Sequence, residues 1–333
     1  MRIGIAILNW NGINLLKSHL RGVVDKSGDS TIYIIDNNSD DNSLEFVKQN
    51  FPQVKLISLD KNYGFAEGYN IGLKHVNEDI VCILNNDVEV TEKWLDPIRR
   101  KFNEKKNCII QPTIMDFNNR EYFEYAGGSG GFIDKFGYPF CRGRIFYTLE
   151  KNINQYSDDK IFWASGACMI IQKKTFYELG GFDKSFFAHM EEIDLCWRGF
   201  NKGIECFSST DSIVYHVGAA TLKENANKNY LNYRNSLIML TKNLPLNSLL
   251  YVLFVRIILD MISVVRYLMT ARIDLSLSII KAHISYFIQA NRILKNRDKS
   301  LKKENYYKVR SIVYNYFLLG KKKFFSLKYN NLA

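Results

Sequence analysis

Three short polar segments contain the residue types that metal-assisted or acid–base chemistry needs. The first is Asn85-Asn86-Asp87, which directly follows the apolar run Val81–Leu84. A carboxylate at a strand end can ligate a hard divalent cation and leave positions open for diphosphate oxygens, although an aspartate there is also a common turn former. The second is His216, which ends the strand-like run Ser212–His216. Beside an aspartate-bound cation an imidazole would favour manganese over magnesium; alone, a histidine is an ordinary core or surface residue.

The third segment, Glu191–Asp194, places three acids in the first turn of a predicted helix. A favourable interaction with the helix dipole is one explanation for such a turn. The preceding residues, FDKSFFAHM, are largely aromatic, so a carboxylate beside them would be partly buried. Burial raises the pKa of a carboxyl group towards the range of a general base. From spacing alone, proton transfer and helix stabilisation are both open for Glu191, Glu192 and Asp194.

Two further segments have the composition of a nucleotide site. Asp36 follows the β-branched run Thr31–Ile35, and a carboxylate there commonly contacts a ribose hydroxyl or a base N–H; an Asx turn is the alternative. The glycines of Asn62–Asn70 open a helix, where backbone amides can approach phosphate. This pattern is neither a Walker loop nor a strict GxGxxG, so it does not by itself indicate a dinucleotide.

Alternating strand and helix signals in the first hundred residues would bring these segments together. Strands are predicted at Ile3–Leu8, Thr31–Ile35, Val54–Leu59 and Ile80–Leu84, with helices at Ile13–Val24, from Asn42 to Pro52, and at Tyr69–Val76. This order predicts an α/β fold with a mostly parallel sheet and helices on both faces. Ligands of such sheets bind beyond the carboxyl ends of the strands, which is where Asn9–Gly12, Asp36–Ser39 and Asn85–Asp87 fall.

The later part of the chain changes character twice. Residues 116–159 are rich in glycine, aromatic and turn residues, which predicts irregular loops and short hairpins. Strand signals return at Ala167–Ile171 and Ser212–His216, and a helix is predicted from about Glu191 to Lys202. A second region is predicted to begin at residue 245, so that residues 1–244 form the α/β domain and residues 245–333 a helical extension.

The C-terminal extension is apolar and basic. Leu249–Met269 is interrupted by Arg256, Asp260 and Arg266, and these charges argue against a membrane span, which needs about 20 residues with few charges. The next helix is predicted to be amphipathic, with Ile273, Leu277, Ile280, Ile284 and Phe287 on its apolar face. Residues 251–333 hold sixteen Lys and Arg but only four Asp and Glu, whereas the rest of the chain is nearly neutral. Such a segment is attracted to anionic lipid, nucleic acid or an acidic protein.

The six cysteines include no CxxC pair, and most lie in apolar runs. This distribution favours buried free thiols in a reducing cytosol over a disulfide framework. The N-terminal residues MRIGIAILNWNG are predicted to form a first strand and turn rather than a signal peptide.

Seven segments, taken together and in order, strongly resemble family 2 glycosyltransferases of the GT-A fold, and in particular the rhamnosyltransferase-like branch that builds bacterial surface polysaccharides. The segments cover about residues 1–240. They are ILNWNG at 7–12, IIDNNSDDNS at 34–43, NYGFAEGYNIGL at 62–73, ILNNDVEV at 83–90, WASGACMII at 163–171, GGFDKSFFAHMEEIDLCWR at 180–198 and YHVGAAT at 215–221. Tyr233-Arg234-Asn235 also looks like a family segment.

The resemblance implies a role for each polar segment. Asp87 would match the last acid of the family's DXD motif and bind Mg²⁺ or Mn²⁺ together with His216, and Glu192 would be the catalytic base, flanked by Glu191 and Asp194. The acceptor side would be lined by Trp163, Gly166 and Ala167. The nucleotide-sugar would be contacted by Asn9, Asn11, Asp36, Asn38, Gly64, Asn70, Asn86 and Asp87.

Two positions depart from the family pattern. Asn85 stands where many members have an aspartate, which implies a metal held by fewer carboxylates. Glu192 stands where an aspartate is common, so its longer side chain would need a slightly different placement. Many relatives of this branch also lack the first acid, so the departure at Asn85 does not indicate an inactive protein.

The implied activity is inverting transfer of a sugar from a nucleotide-diphosphate donor to a hydroxyl of a glycan or lipid-linked acceptor. The basic helical extension would then bind an anionic membrane at the cytoplasmic face, while packing on the protein itself is the alternative. A nucleic-acid partner is not expected, because the basic residues follow no recognition motif. A non-catalytic nucleotide- or glycan-binding relative is an alternative on fold alone. A sugar nucleotidyltransferase is disfavoured because Asn9–Gly12 lacks a basic triphosphate-binding residue.

Overall fold

The first half of the chain alternates strands and helices, much as the sequence predicts. The structure is a computed structural model that describes residues 2–218, 225–298 and 302–328. Its first elements are β1 (Ile3–Asn9), α1 (Ile13–Lys26), β2 (Thr31–Asp36), α2 (Ser43–Asn50), β3 (Lys55–Ser58), α3 (Gly64–Gly72) and β4 (Ile80–Asn85). The largest difference from prediction is α3, which was expected to begin at Tyr69. It begins five residues earlier because Gly64 adopts a φ of +72° and donates its N–H to the Asn62 side chain, forming the turn that starts the helix.

The main sheet is mixed rather than mostly parallel. Its remaining strands are β5 (Val88–Val90), β6 (Cys108–Asp116), β11 (Lys160–Ile161), β12 (Cys168–Gln172) and β13 (Glu205–His216), in the order β11-β13-β6-β12-β4-β1-β2-β3, with β5 against β13. Strands β3, β2, β1 and β4 are parallel, as expected. Strand β12 then runs antiparallel between β4 and β6. This insertion brings the segment before β12 to the carboxyl edge of β4.

Three more helices accompany this sheet, and a small second sheet lies within the predicted loop region. The helices are α4 (Leu95–Glu104), α5 (Lys173–Glu178) and α6 (Glu191–Asn201). The small antiparallel sheet contains β7 (Gly131–Ile133), β8 (Pro139–Cys141), β9 (Arg144–Ile145) and β10 (Thr148–Leu149). Short hairpins are therefore the correct description of this region.

Side chains on the two faces of the main sheet form two hydrophobic clusters. Ile3, Ile5 and Ile7 on β1 enter one cluster, while Ala6 between them enters the other, as the two-residue period of a strand requires. All six cysteines are buried as free thiols. Both observations match the sequence expectation of a strand-based core without disulfides.

The C-terminal helical region consists of three helices, and the second of them has two charged residues that point inwards. They are α7 (Ala226–Asn243), α8 (Leu246–Met269) and α9 (Ile273–Lys295). In α8, Arg256 and Asp260 are buried and joined by a 2.8 Å ion pair. Asp260 also accepts a 2.7 Å hydrogen bond from Tyr138 of the small sheet and lies 3.1 Å from His283 of α9. The buried Asp260 thus connects α8 to the small sheet and to α9.

Apolar residues, in contrast, cover the outer faces of α8 and α9. The predicted apolar face of α9, from Ile273 to Phe287, is 40–58% exposed instead of packed. By length and composition alone α8 is sufficient to cross a membrane, but its inner face packs on the protein. The exposed apolar residues of α8 are Leu246, Leu250, Tyr251, Phe254, Ile258, Met261, Ile262, Val265, Leu268 and Met269. We call the outer faces of α8 and α9 the apolar helix face.

Residues 302–328 return from the extension to the small sheet. Tyr306 stacks on Trp197 of α6 at 4.8 Å between ring centroids, and Phe324 packs on Phe132 at 5.3 Å. The buried carboxylate of Asp134 accepts the backbone N–H of Ile312 at 2.9 Å. The predicted boundary at 244/245 falls between α7 and α8, but one hydrophobic cluster includes residues from both sides of it.

Candidate active site

Polar side chains from three parallel strands meet at one edge of the main sheet. Asn9 at the end of β1 lies opposite Asp36 on β2, and Asn85 ends β4 on the other side. The Nδ2 atom of Asn86 donates to Oδ1 of Asn9 at 3.1 Å, and Nδ2 of Asn9 contacts Oδ1 of Asp36 at 3.3 Å. The predicted clustering is therefore observed, and the carboxyl edge forms a continuous polar floor.

Asp36 is almost completely buried within this floor. Its carboxylate accepts the hydroxyl of Ser39 at 2.6 Å and the backbone N–H of Ser39 at 3.0 Å. The carboxylate therefore closes the Asx-type turn considered from the sequence. Its first role here is therefore to shape the loop after β2.

Two exposed asparagines in left-handed conformations border the floor. Asn11 has a φ of 50° and Asn38 a φ of 62°. The Oδ1 atom of Asn11 accepts the backbone N–H of Asp40 at 2.7 Å, which ties the loop after β1 to the loop after β2. Asparagine tolerates this conformation better than most residues, so both positions hold defined loops at the rim of the cleft.

Asp87 and His216 are brought into direct contact from distant parts of the sequence. Their atoms Oδ1 and Nε2 are 3.0 Å apart, and the second carboxylate oxygen of Asp87 accepts the N–H of Gly218 at 3.3 Å. Strand β13 places His216 there by pairing with β5, which opposes His216 to Val88. Burial alone would lower the pKa of His216, but contacts with Asp87 and Glu124 outweigh it and raise the pKa to about 10.

The Asp87–His216 pair fits a divalent cation by the chemistry of its donors. One carboxylate oxygen and one imidazole nitrogen converge on the same point, and both are ligands that Mn²⁺ accepts. The part of the chain that the structure describes contains no group of three or more His, Cys, Asp or Glu able to hold a metal. A cation here would therefore take two protein ligands and complete its shell with donor oxygens or water, which suits a nucleotide diphosphate.

The carboxylates of Glu191 and Glu192 lie at the start of α6, on the opposite side of the cleft. Burial raises the pKa of Glu192 to about 7, against the effect of nearby backbone amides. Burial and the charges of Glu192 and Asp194 raise the pKa of Glu191 further above its ordinary value. Glu192 is only partly covered, whereas Glu191 is 4% exposed, so Glu192 is the member of the pair that an acceptor can reach.

Asp194 does not share this environment. It is fully buried, and its carboxylate pairs with Arg198 and Lys242, each at 2.8 Å, and accepts from Asn243 at 2.8 Å. Burial opposes its ionisation, but Lys242 and Arg198 prevail and lower its pKa. A carboxylate with a lowered pKa and three hydrogen-bonded partners is a weak base, so the geometry assigns Asp194 to anchoring α6 rather than to catalysis.

The loop before α6 is held in an unusual backbone conformation. Phe187, His189 and Met190 have φ values of 64°, 69° and 73°, which costs on the order of 1–3 kcal/mol per residue. The buried amide of Asn235 donates towards the carbonyls of Phe186, Ala188 and His189 at 2.8–3.1 Å. This clamp from α7 fixes the position of Glu191 and Glu192. In the sequence Asn235 stands out only as part of a family-like segment, and no role was predicted for it.

The three residues predicted for the acceptor side have different surroundings. Trp163 is buried, and its indole N–H donates to the carbonyl of Phe132 at 2.8 Å, so it is a core residue. Gly166 lies beside Glu192: a Cβ atom there would be 3.9 Å from the Cβ of Glu192. The carbonyl of Ala167 accepts the N–H of Asn85 at 3.0 Å. Gly166 and Ala167 thus connect the metal side of the cleft with the base side.

Gly64 and Asn70, which were both predicted to contact the nucleotide-sugar, have different surroundings in the structure. Gly64 begins α3, and a Cβ atom there would lie 2.7 Å from the ring of Phe187. Glycine at this position therefore lets the loop before α6 pack closely against the start of α3. Asn70 holds the loop before α6 instead, exchanging hydrogen bonds of 2.7 and 2.8 Å with the backbone of Phe182. Sequence reasoning missed Asn37, whose buried amide donates to the carbonyl of Gly64 at 3.0 Å and fixes that turn.

Part of the YHVGAAT segment that contributed to the resemblance, residues 219–221, lies outside the described residues. His216, Val217 and Gly218 are described and make the contacts with Asp87 reported above. The predicted metal pair therefore does not depend on the remainder of that segment.

Comparison with known proteins agrees with this architecture. The model of glycosyl transferase family 2 matches residues 5–180. Over 241 residues the chain is 24% identical to the low-salt glycan biosynthesis hexosyltransferase Agl10 of Haloferax volcanii, covering 70% of this chain and 73% of that protein. It is 22% identical over 230 residues to an N-acetylglucosaminyl-diphospho-decaprenol L-rhamnosyltransferase of Mycobacterium tuberculosis, covering 63% and 74%.

A solved structure has the same fold. The mannosyltransferase PcManGT of Pyrobaculum calidifontis, in complex with GDP-Man and Mn²⁺, superposes with a TM-score of 0.54 and 12% identity, over 86% of this chain and 87% of that one. The family match covers more than half of the sequence and includes the loops after β1, β2 and β4. The chain therefore belongs to glycosyltransferase family 2 and is a glycosyltransferase with the GT-A fold.

Proposed function

We propose that this enzyme transfers a hexosyl or deoxyhexosyl group, with inversion, from a nucleotide-diphosphate sugar to a hydroxyl of a lipid-linked glycan in surface polysaccharide synthesis. The observation that carries the proposal is that two sites meet at Gly166-Ala167, because Ala167 accepts the N–H of Asn85 and Gly166 lies beside Glu192. Asp87 and His216 converge on one side, and the partly buried Glu192 with its raised pKa lies on the other. The lipid-linked acceptor is supported by the name of the mycobacterial relative, which acts on a diphospho-decaprenol.

The base side supplies proton transfer. Glu192 accepts the proton of the acceptor hydroxyl, and that oxygen attacks the anomeric carbon on the face opposite the departing diphosphate. A pKa of about 7 lets a substantial fraction of Glu192 be ionised at neutral pH while remaining basic enough to accept a proton. Because one displacement forms the new bond as the old one breaks, the configuration inverts.

The metal side supplies charge stabilisation. A divalent cation, when bound by Asp87 and His216, neutralises charge that develops on the leaving diphosphate. The chain's own residues orient the donor: Asn86 and Asn9 fix the polar floor, and Asn11 and Asn38 shape its rim. We assign the nucleotide to this floor, with Asp36 and Gly64 as its supports.

Nucleotide binding tests this assignment directly. We expect one of UDP, dTDP, GDP, CDP and ADP to raise the melting temperature clearly more than the others, and to do so only with Mn²⁺ or Mg²⁺. Isothermal titration with and without EDTA would give the affinity. If folded protein bound none of the five nucleotides with either metal, the proposed donor site would be wrong.

We further propose that the apolar helix face binds the surface of an anionic membrane, at the cytoplasmic side where nucleotide sugars are made. This face carries ten exposed apolar residues on α8 alone, and monomeric soluble proteins rarely expose so large a patch. Arg266 of α8 lies 5.6 Å from the ring of Phe317, so the exposed residues Phe317, Leu318 and Leu319 extend the face. Lys321–Lys323 follow directly. Apolar surface bordered by lysines complements acidic headgroups.

Vesicle flotation tests the membrane proposal. We expect the wild-type protein to float with phosphatidylglycerol vesicles at low salt, and Phe254→Glu/Ile262→Glu to stay in the dense fraction with an unchanged melting temperature. Gln53→Glu/Asn77→Glu adds the same charge elsewhere and should float normally. No flotation of the wild type, or a dimer by light scattering that the Phe254→Glu/Ile262→Glu variant disrupts, would contradict the proposal and indicate a protein partner.

A further inference from the structure

A buried carboxylate lies on the far side of the candidate metal ligand His216. Glu124 follows β6, in a segment that the sequence analysis did not single out, and is 5% exposed. Its Oε1 atom is 3.4 Å from Nδ1 of His216. Its Oε2 atom accepts the backbone N–H of Ala126 at 2.5 Å, so the carboxylate has a fixed orientation with one oxygen turned towards the imidazole.

The two acids contact different nitrogens of the imidazole ring. Asp87 lies at Nε2 and Glu124 at Nδ1, and the lone pairs of these nitrogens point away from each other. A cation held by Asp87 and Nε2 is therefore out of reach of Glu124. The contribution of Glu124 must pass through the ring of His216 and not through a bond to the metal.

We propose that Glu124 is a positioning residue for His216, an inference that rests on the proposed metal site. In the metal-bound protein it would hold the proton of the imidazole on Nδ1, which leaves the lone pair of Nε2 for a cation shared with Asp87. A carboxylate behind a metal-binding histidine fixes the tautomer and the ring orientation and raises the basicity of the ligand. The buried Nδ1 atom makes no hydrogen bond of ordinary geometry within the described residues. A ring shift of a few tenths of an ångström would bring it within hydrogen-bonding distance of Glu124.

The backbone at Gly218 closes over this arrangement. Gly218 has a φ of 44°, and a Cβ atom there would lie 2.6 Å from Oε1 of Glu124 and 3.1 Å from Nδ1 of His216. Its N–H contacts Asp87 as well. Only glycine lets the chain pass this close, so the segment after β13 shields the Glu124–His216 contact from solvent without separating the two groups.

Mn²⁺ binding to full-length protein tests this role, with free Mn²⁺ measured by electron paramagnetic resonance. We expect Glu124→Ala to weaken Mn²⁺ binding about 10- to 100-fold, and the isosteric Glu124→Gln, which keeps the volume of the side chain, to weaken it less. Glu121→Gln changes an exposed acid of the same segment that pairs with Lys151 and should bind as the wild type does.

A second readout follows the ring itself. In proton spectra of the Mg²⁺-bound wild type, the Nδ1 proton of His216 should be shifted downfield by its hydrogen bond to the Glu124 carboxylate, and Glu124→Gln should move it upfield. Unchanged Mn²⁺ affinity and an unchanged Nδ1 proton shift in folded Glu124 variants would overturn the role of Glu124 alone. A wild type that binds no Mn²⁺ would overturn the metal assignment, and this proposal with it.

Discussion

Glu192→Gln is expected to lower kcat by about 10²- to 10⁴-fold, the usual contribution of a positioned general base. The substitution preserves the size of the side chain but removes its ability to accept a proton. Nucleotide and Mn²⁺ affinities should not change, because Asp87 and His216 lie on the other side of the cleft. Nucleoside diphosphate release, measured with the donor found by nucleotide binding and a diphospho-polyprenol-linked acceptor, gives kcat directly.

The pH profile supplies a second test of the same residue. Because the active form of a base is deprotonated, kcat/KM should rise with pH through about 7, the pKa of Glu192. This rise belongs to the Glu191–Glu192 pair, since the two carboxyls influence each other. Glu191→Gln, the matched control, should keep most of the activity and move the rise to lower pH. Near-normal turnover in Glu192→Gln would exclude Glu192 as the base.

Asp87→Asn is expected to abolish metal-dependent nucleotide binding and to reduce kcat by about 10²- to 10³-fold or more, as seen when a group that stabilises the leaving charge is lost. An amide keeps the shape of the carboxylate but provides a much weaker ligand for a divalent cation. Titration calorimetry of the nucleotide with Mn²⁺, and again with EDTA, separates metal-dependent from metal-independent binding. The affinity measured with EDTA, which reports metal-independent binding, should be the same in the variant and in the wild type.

Asn85→Asp is the complementary change. Its Nδ2 atom lies 3.3 Å from Nε2 of His216, so an aspartate at this position adds a carboxylate beside the proposed cation. We expect tighter Mn²⁺ binding and retained activity, because added ligand charge strengthens binding of hard cations. Weaker Mn²⁺ binding in Asn85→Asp, or unchanged binding in Asp87→Asn, would contradict the assignment.

The strand ends of the first half were predictable because their signals are local. Apolar runs that stop at Asn9, Asp36 and Asn85 identify three strand ends, and parallel pairing brings such ends to one edge. The aromatic residues before α6 predicted partly buried carboxylates in the segment Glu191–Asp194, and only the family resemblance singled out Glu192 as the proposed base. The start of α3 was missed because Gly64 is fixed by hydrogen bonds with Asn62 and with Asn37, which follows β2 and is distant in sequence.

Other features depended on contacts between distant segments. Glu124 has no motif around it, and its meaning appears only when β13 places His216 beside it. Arg256, Asp260 and Arg266 were taken as evidence against a membrane-spanning α8; Arg256 and Asp260 face inwards, whereas Arg266 lies on the exposed face among apolar residues. The charge of Asp194 resembled that of its neighbours in sequence, but Arg198 and Lys242 neutralise it. A charge pattern in the sequence identifies the ionisable residues, but only the packing of the folded chain shows whether each of them is buried or exposed to solvent.

The return of residues 302–328 to the small sheet has a consequence for the order of folding. Phe324 packs on Phe132, and Ile312 provides a partner for the buried Asp134, so this sheet lacks part of its core until almost the whole chain has left the ribosome. The strands of the parallel half of the main sheet, β1 to β4, pair with one another within residues 3–85. Synthesis would therefore produce the nucleotide side of the cleft first. Helix α6, which carries Glu192 and packs through Trp197 on Tyr306, would be completed only after α8 and α9 have been synthesised.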